Sequence, residues 1–275
     1  MIQDLDDSIF DNSYHNFDLN EKDSIIVCRE DKVLVNVTNG FISFPKQKDF
    51  DYFSEYRYLF SINDKRYFTV FDWSIKNKNF TYESKEIFRV VLPKEERYAG
   101  IVGYQLCNWY LEHKFCSKCG KMLVHDSKER MLKCNSCGMM NYPTISPAII
   151  VGIVYNDKLL ITKYAGRDYK KYALVAGFTE IGETLEETVK REVFEEVSLH
   201  VKDIRYYGCQ PWPFTSSILV GFFAKVDGDT EISIDEDELS EGKWIARSDM
   251  DEIEDDGISL TREMMMAFKN NTIKW

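Results

Sequence analysis

The sequence predicts an α+β protein in three parts: a mixed N-terminal domain over residues 1–112, a small zinc ribbon over 113–142 and a larger mixed domain over 143–275. Three observations predict it. Residues 1–92 alternate short β-like runs with polar turns. Two Cys-x-x-Cys units, Cys116–Cys119 and Cys134–Cys137, stand fourteen residues apart. Beyond them, apolar runs of strand length are interspersed with two stretches of helical period.

The elements follow in order. Ser24–Cys28, Lys32–Val37 and Tyr67–Trp73 read as strands in the N-terminal part, which carries no catalytic constellation and no internal repeat. The aromatic run Asp51–Phe60 reads as core or dimer packing. Tyr98, Ile101, Val102, Leu106, Trp109 and Tyr110 recur near helical period and predict a helix over 95–115. The four cysteines then predict a zinc ribbon over 116–137, because four thiolates close a tetrahedron and leave no position for a substrate. Its task is therefore folding. Strands are predicted at 148–155 and 158–163 around the turn Asn156–Asp157, and at 174–176. Thr184-Leu-Glu-Glu187 is a capping-box sequence opening a helix that runs to about Val197. Further strands are expected at 203–208, 217–226 and 243–246, and a last helix near 259–269 whose Met264, Met265 and Met266 serve packing. The acidic stretch 249–256 reads as a solvated loop.

With 275 residues and 44% hydrophobic content, the chain has material for two domains with real cores. A net charge of −11 argues against a general nucleic-acid binder. The window 113–142 is the exception, with six Lys/Arg against two Asp/Glu. The plain reading is a solvated basic face; the sharper one is a contact with RNA or phosphate. Residues 1–10 are acidic and lack a signal-peptide core, and 148–155 is too short to span a membrane, so the expected compartment is the cytoplasm. Cys28, Cys107 and Cys209 are left over and are expected to be reduced, buried and structural.

The densest chemistry lies at Gly177–Glu196. Glu192, Glu195 and Glu196 stand at i, i+3 and i+4, so three carboxylates share one helix side, where like charges repel. A divalent cation removes that cost, and Mg²⁺ is typically held by a few carboxylates together with substrate phosphates. The alternative is a solvated acidic helix face. Glu183 and Arg191 are expected to pair and hold the preceding loop to the helix.

Gly177, Glu183, Arg191, Glu192, Val193, Glu195, Glu196 and Leu199 fill the pattern G-x5-E-x7-R-E-U-x-E-E-x-x-U, with U aliphatic, and so resemble the Nudix box. Ser198 departs from it, since the family places Gly at this helix end; the substitution costs under about 1 kcal/mol. Downstream, Gln210-Pro-Trp-Pro-Phe-Thr-Ser-Ser217 resembles the Q-P-W-P-F-P-x-S array of NADH pyrophosphatases, with Thr215 replacing the last Pro. The same enzymes carry a four-cysteine ribbon upstream. The resemblance covers roughly residues 113–275.

It implies an α/β/α Nudix sandwich preceded by a degenerate Nudix-like domain, and a homodimer. It implies hydrolysis of NADH and NAD⁺ to a nicotinamide mononucleotide and AMP, and removal of NAD caps from RNA. Glu192, Glu195 and Glu196 become catalytic residues and Mg²⁺ or Mn²⁺ ligands, with the Ala176 carbonyl and Glu238 beside them; Glu196 also orients or deprotonates the attacking water. Zn²⁺ is structural, one per chain. Tyr142 and Phe178 are the implied aromatic contacts to substrate, Gln210, Pro211, Trp212, Pro213, Phe214, Thr215, Ser216 and Ser217 the binding array, and Thr261 a further contact. Other readings are a Nudix hydrolase acting on ADP-ribose or dinucleoside polyphosphates, against which the array speaks, and a non-catalytic nicotinamide-nucleotide sensor, against which the three glutamates speak.

Overall fold

The computed structural model describes residues 1–166 and 171–273. They form two compact units: residues 2–144 with 213–216, and Met1 with 145–212 and 217–275.

In the first unit, Glu55–Ile62 and Lys65–Phe71 form an antiparallel hairpin flanked by Phe10–Asp11 and Ser24–Ile25. The helix Lys94–Glu112 packs on this hairpin. Tyr58 and Phe60 of the aromatic run are core residues, buried with Tyr67, Phe68 and Phe88. Cys28 and Cys107 are buried here too, as expected. Cys209, in the other unit, is exposed; strand alternation turns it outward beside the buried Gln210, so it does not act as a core hydrophobe. Downstream of the helix, Val124–His125, Leu132–Lys133 and Met140–Asn141 form a three-stranded antiparallel sheet.

The second unit contains β1 (Ser146–Tyr155), β2 (Lys158–Tyr164), β3 (Val175–Phe178), α1 (Leu185–Val197), β4 (Val201–Trp212), β5 (Ser217–Val226), β6 (Leu239–Ala246) and α2 (Leu260–Lys269). One sheet runs in the order β4-β5-β1-β2-β6, with β3 also paired to β1. β1 and β5 are parallel and every other pair is antiparallel. β5 takes one edge of β1 along nearly its whole length, so β3 and β2 share the other edge, β3 at Ala148–Val151 and β2 at Val154–Tyr155.

Period-two alternation divides β1 between two cores. Ile149, Val151 and Ile153 join Val220, Phe222 and Ala224 of β5 under Val189, Val193 and Val197 of α1. Ile150 and Val154 join Phe223 under Leu260, Met264, Met265 and Phe268 of α2. The layers are helix, sheet, helix. Met264 and Met265 are core residues, as the sequence predicts.

Besides Cys209, three expectations need correcting. The acidic stretch 249–256 is not a solvated loop throughout: Arg247–Glu252 is a short 3-10 helix, and Met250 and Ile253 join the core under α2, because apolar residues interrupt the acidic ones. β4 is twice the predicted length and carries Gln210, Pro211 and Trp212 as strand residues, while Ser217 opens β5. The predicted Gln210–Ser217 loop is therefore a hairpin whose turn is Pro213–Ser216. A strand tolerates Pro211 because β4 lies at the sheet edge, where a missing N–H need not break a ladder. Similarly, β6 begins at Leu239 instead of 243.

Candidate active site

The glutamates are placed by the way α1 is built. Thr184 caps it, accepting from the Glu187 N–H at 3.2 Å while the Glu187 carboxylate accepts from the Thr184 N–H at 2.8 Å. Ser198 closes it in the left-handed region, φ 56° and ψ 29°, the conformation that makes Gly the favoured residue there. Burial of Val189, Val193 and Val197 fixes the rotation of the helix. Glu196 is thereby drawn under the surface at 2% exposure, Glu192 lies largely covered and Glu195 is exposed.

Arg191 links the set. Its Nε and Nη2 donate to both oxygens of Glu183 at 2.6 and 2.9 Å, the predicted loop-to-helix pair. Nη1 donates to Glu192 Oε1 at 2.8 Å and to Glu195 Oε2 at 2.9 Å, and Nη2 also reaches the Phe178 carbonyl at 2.9 Å. The Arg191–Glu195 contact was legible in its i, i+4 spacing but not anticipated. Arg191 beside Glu183, helped by the Glu180 N–H and the Thr188 hydroxyl, holds that carboxyl at about 2. Glu192 moves the other way. Burial pushes its pKa up against the pull of Arg191, and the charges of Glu195 and Glu238 push in the same direction.

Gly177 explains how Glu192 fits. It pairs with Ile149 in β3, and a Cβ there would lie 1.9 Å from Glu192 Cδ and 2.0 Å from Oε1. The absent side chain is the space the carboxyl group fills. The carboxylates here are oxygen donors, which suit a hard divalent cation. The glutamate oxygens do not meet at one point, however. Among the described residues, the one group of three or more His, Cys, Asp or Glu ligand atoms close enough for a common ion is the four cysteines.

Those cysteines have zinc geometry. All four Sγ atoms lie within 4.8 Å of one another, and Cys116–Cys137 and Cys119–Cys134 are each 3.5 Å apart. Zn–S bonds of about 2.3 Å put tetrahedral sulfurs about 3.8 Å apart. Each Cys-x-x-Cys turn closes with a Gly N–H donating to the first cysteine's carbonyl, Gly120 to Cys116 and Gly138 to Cys134. These glycines adopt φ +71° and +75°, which side chains disfavour. The Cys134 thiol is lowered to about 6, chiefly by the Cys137 N–H, which favours the thiolate a metal needs.

A NUDIX domain model matches residues 146–267. Residues 146–267 belong to the Nudix family. The NAD-capped RNA hydrolase NudC of Haemophilus influenzae strain PittGG is 37% identical over 159 residues, 56% of this chain and 60% of that protein. The enzyme of the same name from Enterobacter sp. strain 638 is 41% identical over 148 residues, 54% of this chain and 57% of that one. The chain thus spans less than two thirds of these relatives. A NUDIX hydrolase structure from Nitrosomonas europaea aligns with TM-score 0.50 at 24% identity, covering 58% of this chain and 92% of that one, which bears on the fold alone.

Within the Nudix domain, Ala176 and Phe178 flank Gly177 in β3, and the Phe178 ring is exposed. Glu238 follows a loop pinned to the end of α1, where the Asp235 N–H donates to the Glu196 carbonyl at 3.0 Å. Its charge is near enough to act on Glu192. Gln210 is fully buried, and both ends of its amide hold the start of α2: Nε2 donates to the Ile258 carbonyl and Oε1 accepts from the Leu260 N–H, each at 2.7 Å. Pro211 and Trp212 are half-buried, Ser217 is buried and Thr261 lies in the first turn of α2. Pro213, Phe214, Thr215 and Ser216 group with the other unit. There Phe214 is buried beneath the Arg89 guanidinium, 4.4 Å from the ring centre, and its carbonyl accepts from Lys85 Nζ at 2.7 Å. Tyr142 is exposed in that unit, and its hydroxyl donates to Glu129 at 2.8 Å. Lys85, Arg89 and Glu129 carry no sequence signal that singles them out.

Proposed function

We propose that the protein is a metal-dependent hydrolase that cleaves the pyrophosphate of NADH and NAD⁺ to a nicotinamide mononucleotide and AMP, and releases NAD caps from RNA. The observation that supports it above others is the glutamate-bearing helix clamped by Arg191, with the Glu192 carboxyl seated in the Gly177 cradle. Similarity to NAD-capped RNA hydrolases directs the choice of substrate.

Glu192, Glu195 and Glu196, the Ala176 carbonyl and Glu238 would hold Mg²⁺ or Mn²⁺. When bound, such an ion polarises phosphoryl oxygens and lowers the pKa of bound water. Arg191 holds the Glu192 and Glu195 carboxyl groups in place. Glu196 orients or deprotonates the attacking water; the water oxygen bonds to one phosphorus, the P–O–P bridge breaks, and the second phosphate departs with the bridging oxygen. Phe178 and Tyr142 are each an aromatic candidate for contact with the flat rings of the substrate. Gln210, Pro211, Trp212, Ser217 and Thr261, with the turn Pro213, Phe214, Thr215 and Ser216, shape the binding array, Gln210 by holding α2 in place. The four cysteines hold a structural Zn²⁺. We further propose a homodimer acting in the cytoplasm; among the described residues no helix is long and apolar enough to cross a membrane.

The test is incubation with NADH and Mg²⁺ or Mn²⁺, following AMP and reduced nicotinamide mononucleotide by chromatography. Wild type should form both, and Glu196→Gln should lose at least about 10²-fold in rate. A folded, zinc-loaded protein that makes neither product with either metal would sink the assignment.

A further inference from the structure

We propose that Cys28 and Cys107 form a peroxide-responsive dithiol, which a hydroperoxide oxidises to a disulfide that fastens the helix Lys94–Glu112 to the strand Cys28–Arg29. The pair lies within the first unit and does not depend on the hydrolytic site.

Cys28 and Cys107 are far apart in the chain and meet where the helix packs on the strand. Both are buried, at 5% and 2% exposure, and their thiols hydrogen-bond each other. The donors there converge on one sulfur. Cys107 Sγ accepts from the Thr69 hydroxyl at 3.4 Å, and from the thiol and the N–H of Cys28. Thr69 is itself fully buried, on the hairpin strand Lys65–Phe71. A structural cysteine in apolar surroundings is inert because burial raises its pKa. Here the Cys28 thiol, the Thr69 hydroxyl and the Cys28 N–H hold the Cys107 thiol below its ordinary value despite burial. The Cys28 thiol, as donor to Cys107, is pushed up. One sulfur is thus prepared as a thiolate and its neighbour keeps its proton, the pairing of an attacking and a resolving thiol. The four ribbon thiols group only among themselves. The Cys107 thiolate attacks one oxygen of hydrogen peroxide and breaks the O–O bond, giving a sulfenic acid and a hydroxide that takes up the proton Cys107 released. The Cys28 sulfur then displaces the sulfenic hydroxyl, which leaves as water with the Cys28 proton. Two thiols and one peroxide become one disulfide and two waters, the sulfurs giving up two electrons. Burial keeps out bulky disulfides such as oxidised glutathione, whereas a small peroxide enters by local opening.

The experiment treats the full-length zinc-loaded protein with a slight excess of hydrogen peroxide and blocks the remaining thiols with N-ethylmaleimide in denaturant. Tryptic digestion without reduction and mass spectrometry then map the linkages. Residues 23–29 and 98–114 are the tryptic peptides that carry the two cysteines. They should appear joined, two hydrogens lighter than their sum, and separate again with dithiothreitol. Thr69→Val should slow the joining about tenfold, because the thiolate loses a hydrogen bond. The oxidised protein should melt at least about 4 °C above the reduced one, since a long loop of the unfolded chain is closed. Cys28→Ser treated alike should show neither the joined peptides nor the rise, which separates the pair's effect from any loss of zinc. Recovery of both peptides fully alkylated after peroxide would overturn the proposal, as would either cysteine joined instead to a ribbon cysteine, to Cys209 or to a second molecule. An unchanged rate in folded Thr69→Val would overturn the role of Cys107 as the prepared thiolate. The wild-type peptide map decides the matter even where a variant fails to fold.

Discussion

Replacing Gly177 with Ala isolates the geometry of the site from the stability of the fold. A Cβ at this position would stand 1.9 Å from Glu192 Cδ, whereas ordinary contact begins at 3.4 Å, so the carboxyl group must retreat by about 1.5 Å. The backbone does not resist, since φ at Gly177 lies outside the left-handed region. Losing Gly freedom in the unfolded chain would even stabilise by up to about 1 kcal/mol. Mg²⁺ demands near-ideal octahedral oxygens at about 2.0–2.1 Å, so a ligand displaced by this much no longer coordinates. A misplacement of about 1 Å costs about 10²-fold in rate. Gly177→Ala should therefore unfold at the same temperature as wild type or slightly above it, lose at least about 10²-fold in kcat/KM for NADH, and need more Mn²⁺ for half-maximal rate. The assays are thermal unfolding by circular dichroism and a metal titration of the hydrolysis rate. Wild-type kcat/KM and metal requirement in a folded variant would refute the argument that the cradle positions Glu192.

Other outcomes follow from the same contacts. Gln210→Ala should destabilise by about 2–4 kcal/mol in urea unfolding, because it strips partners from the buried Ile258 carbonyl and Leu260 N–H. Glu183 titrates at about 2, below its ordinary 4.5, so its pairing with Arg191 contributes stability above about pH 4.5 that is lost as pH falls towards 2. The gap in unfolding midpoint between wild type and Glu183→Gln should narrow over that window; a constant gap contradicts the clamp. Cys134→Ser should abolish stoichiometric zinc and lower the melting temperature, as should a strong chelator, while full zinc retention would contradict the four-thiolate centre.

Much of the site was legible because it is local. The capping box at Thr184 and Glu187 and the helix close at Ser198 are each fixed within a few residues by hydrogen bonds between near neighbours, and each Cys-x-x-Cys pair is set by its own spacing. The packing role of Met264 and Met265 followed from their place in a methionine run on a terminal helix. What was missed depends on residues far apart in the chain. Gln210 read as a loop residue facing substrate because nothing near it in sequence indicates that its amide binds Ile258 and Leu260. Phe214 was read only as part of the binding array, and its burial under Arg89 joins residues more than a hundred positions apart. The exposed Cys209 was misplaced because residue type alone does not tell which face of a strand points inward.

By itself, then, the sequence determined the chemistry on offer: oxygen ligands at helical spacing, thiolates at knuckle spacing, and the turns and caps that present them. Only the tertiary structure decided that Glu192 sits against Gly177, that Glu238 comes close enough to act on its charge, and that Arg191 serves three carboxylates at once. The physical reason is that local backbone geometry is set by nearest neighbours, whereas burial and electrostatic coupling depend on distance in space, which a sheet joining β3, α1 and the β6 loop fixes only after the whole unit has packed.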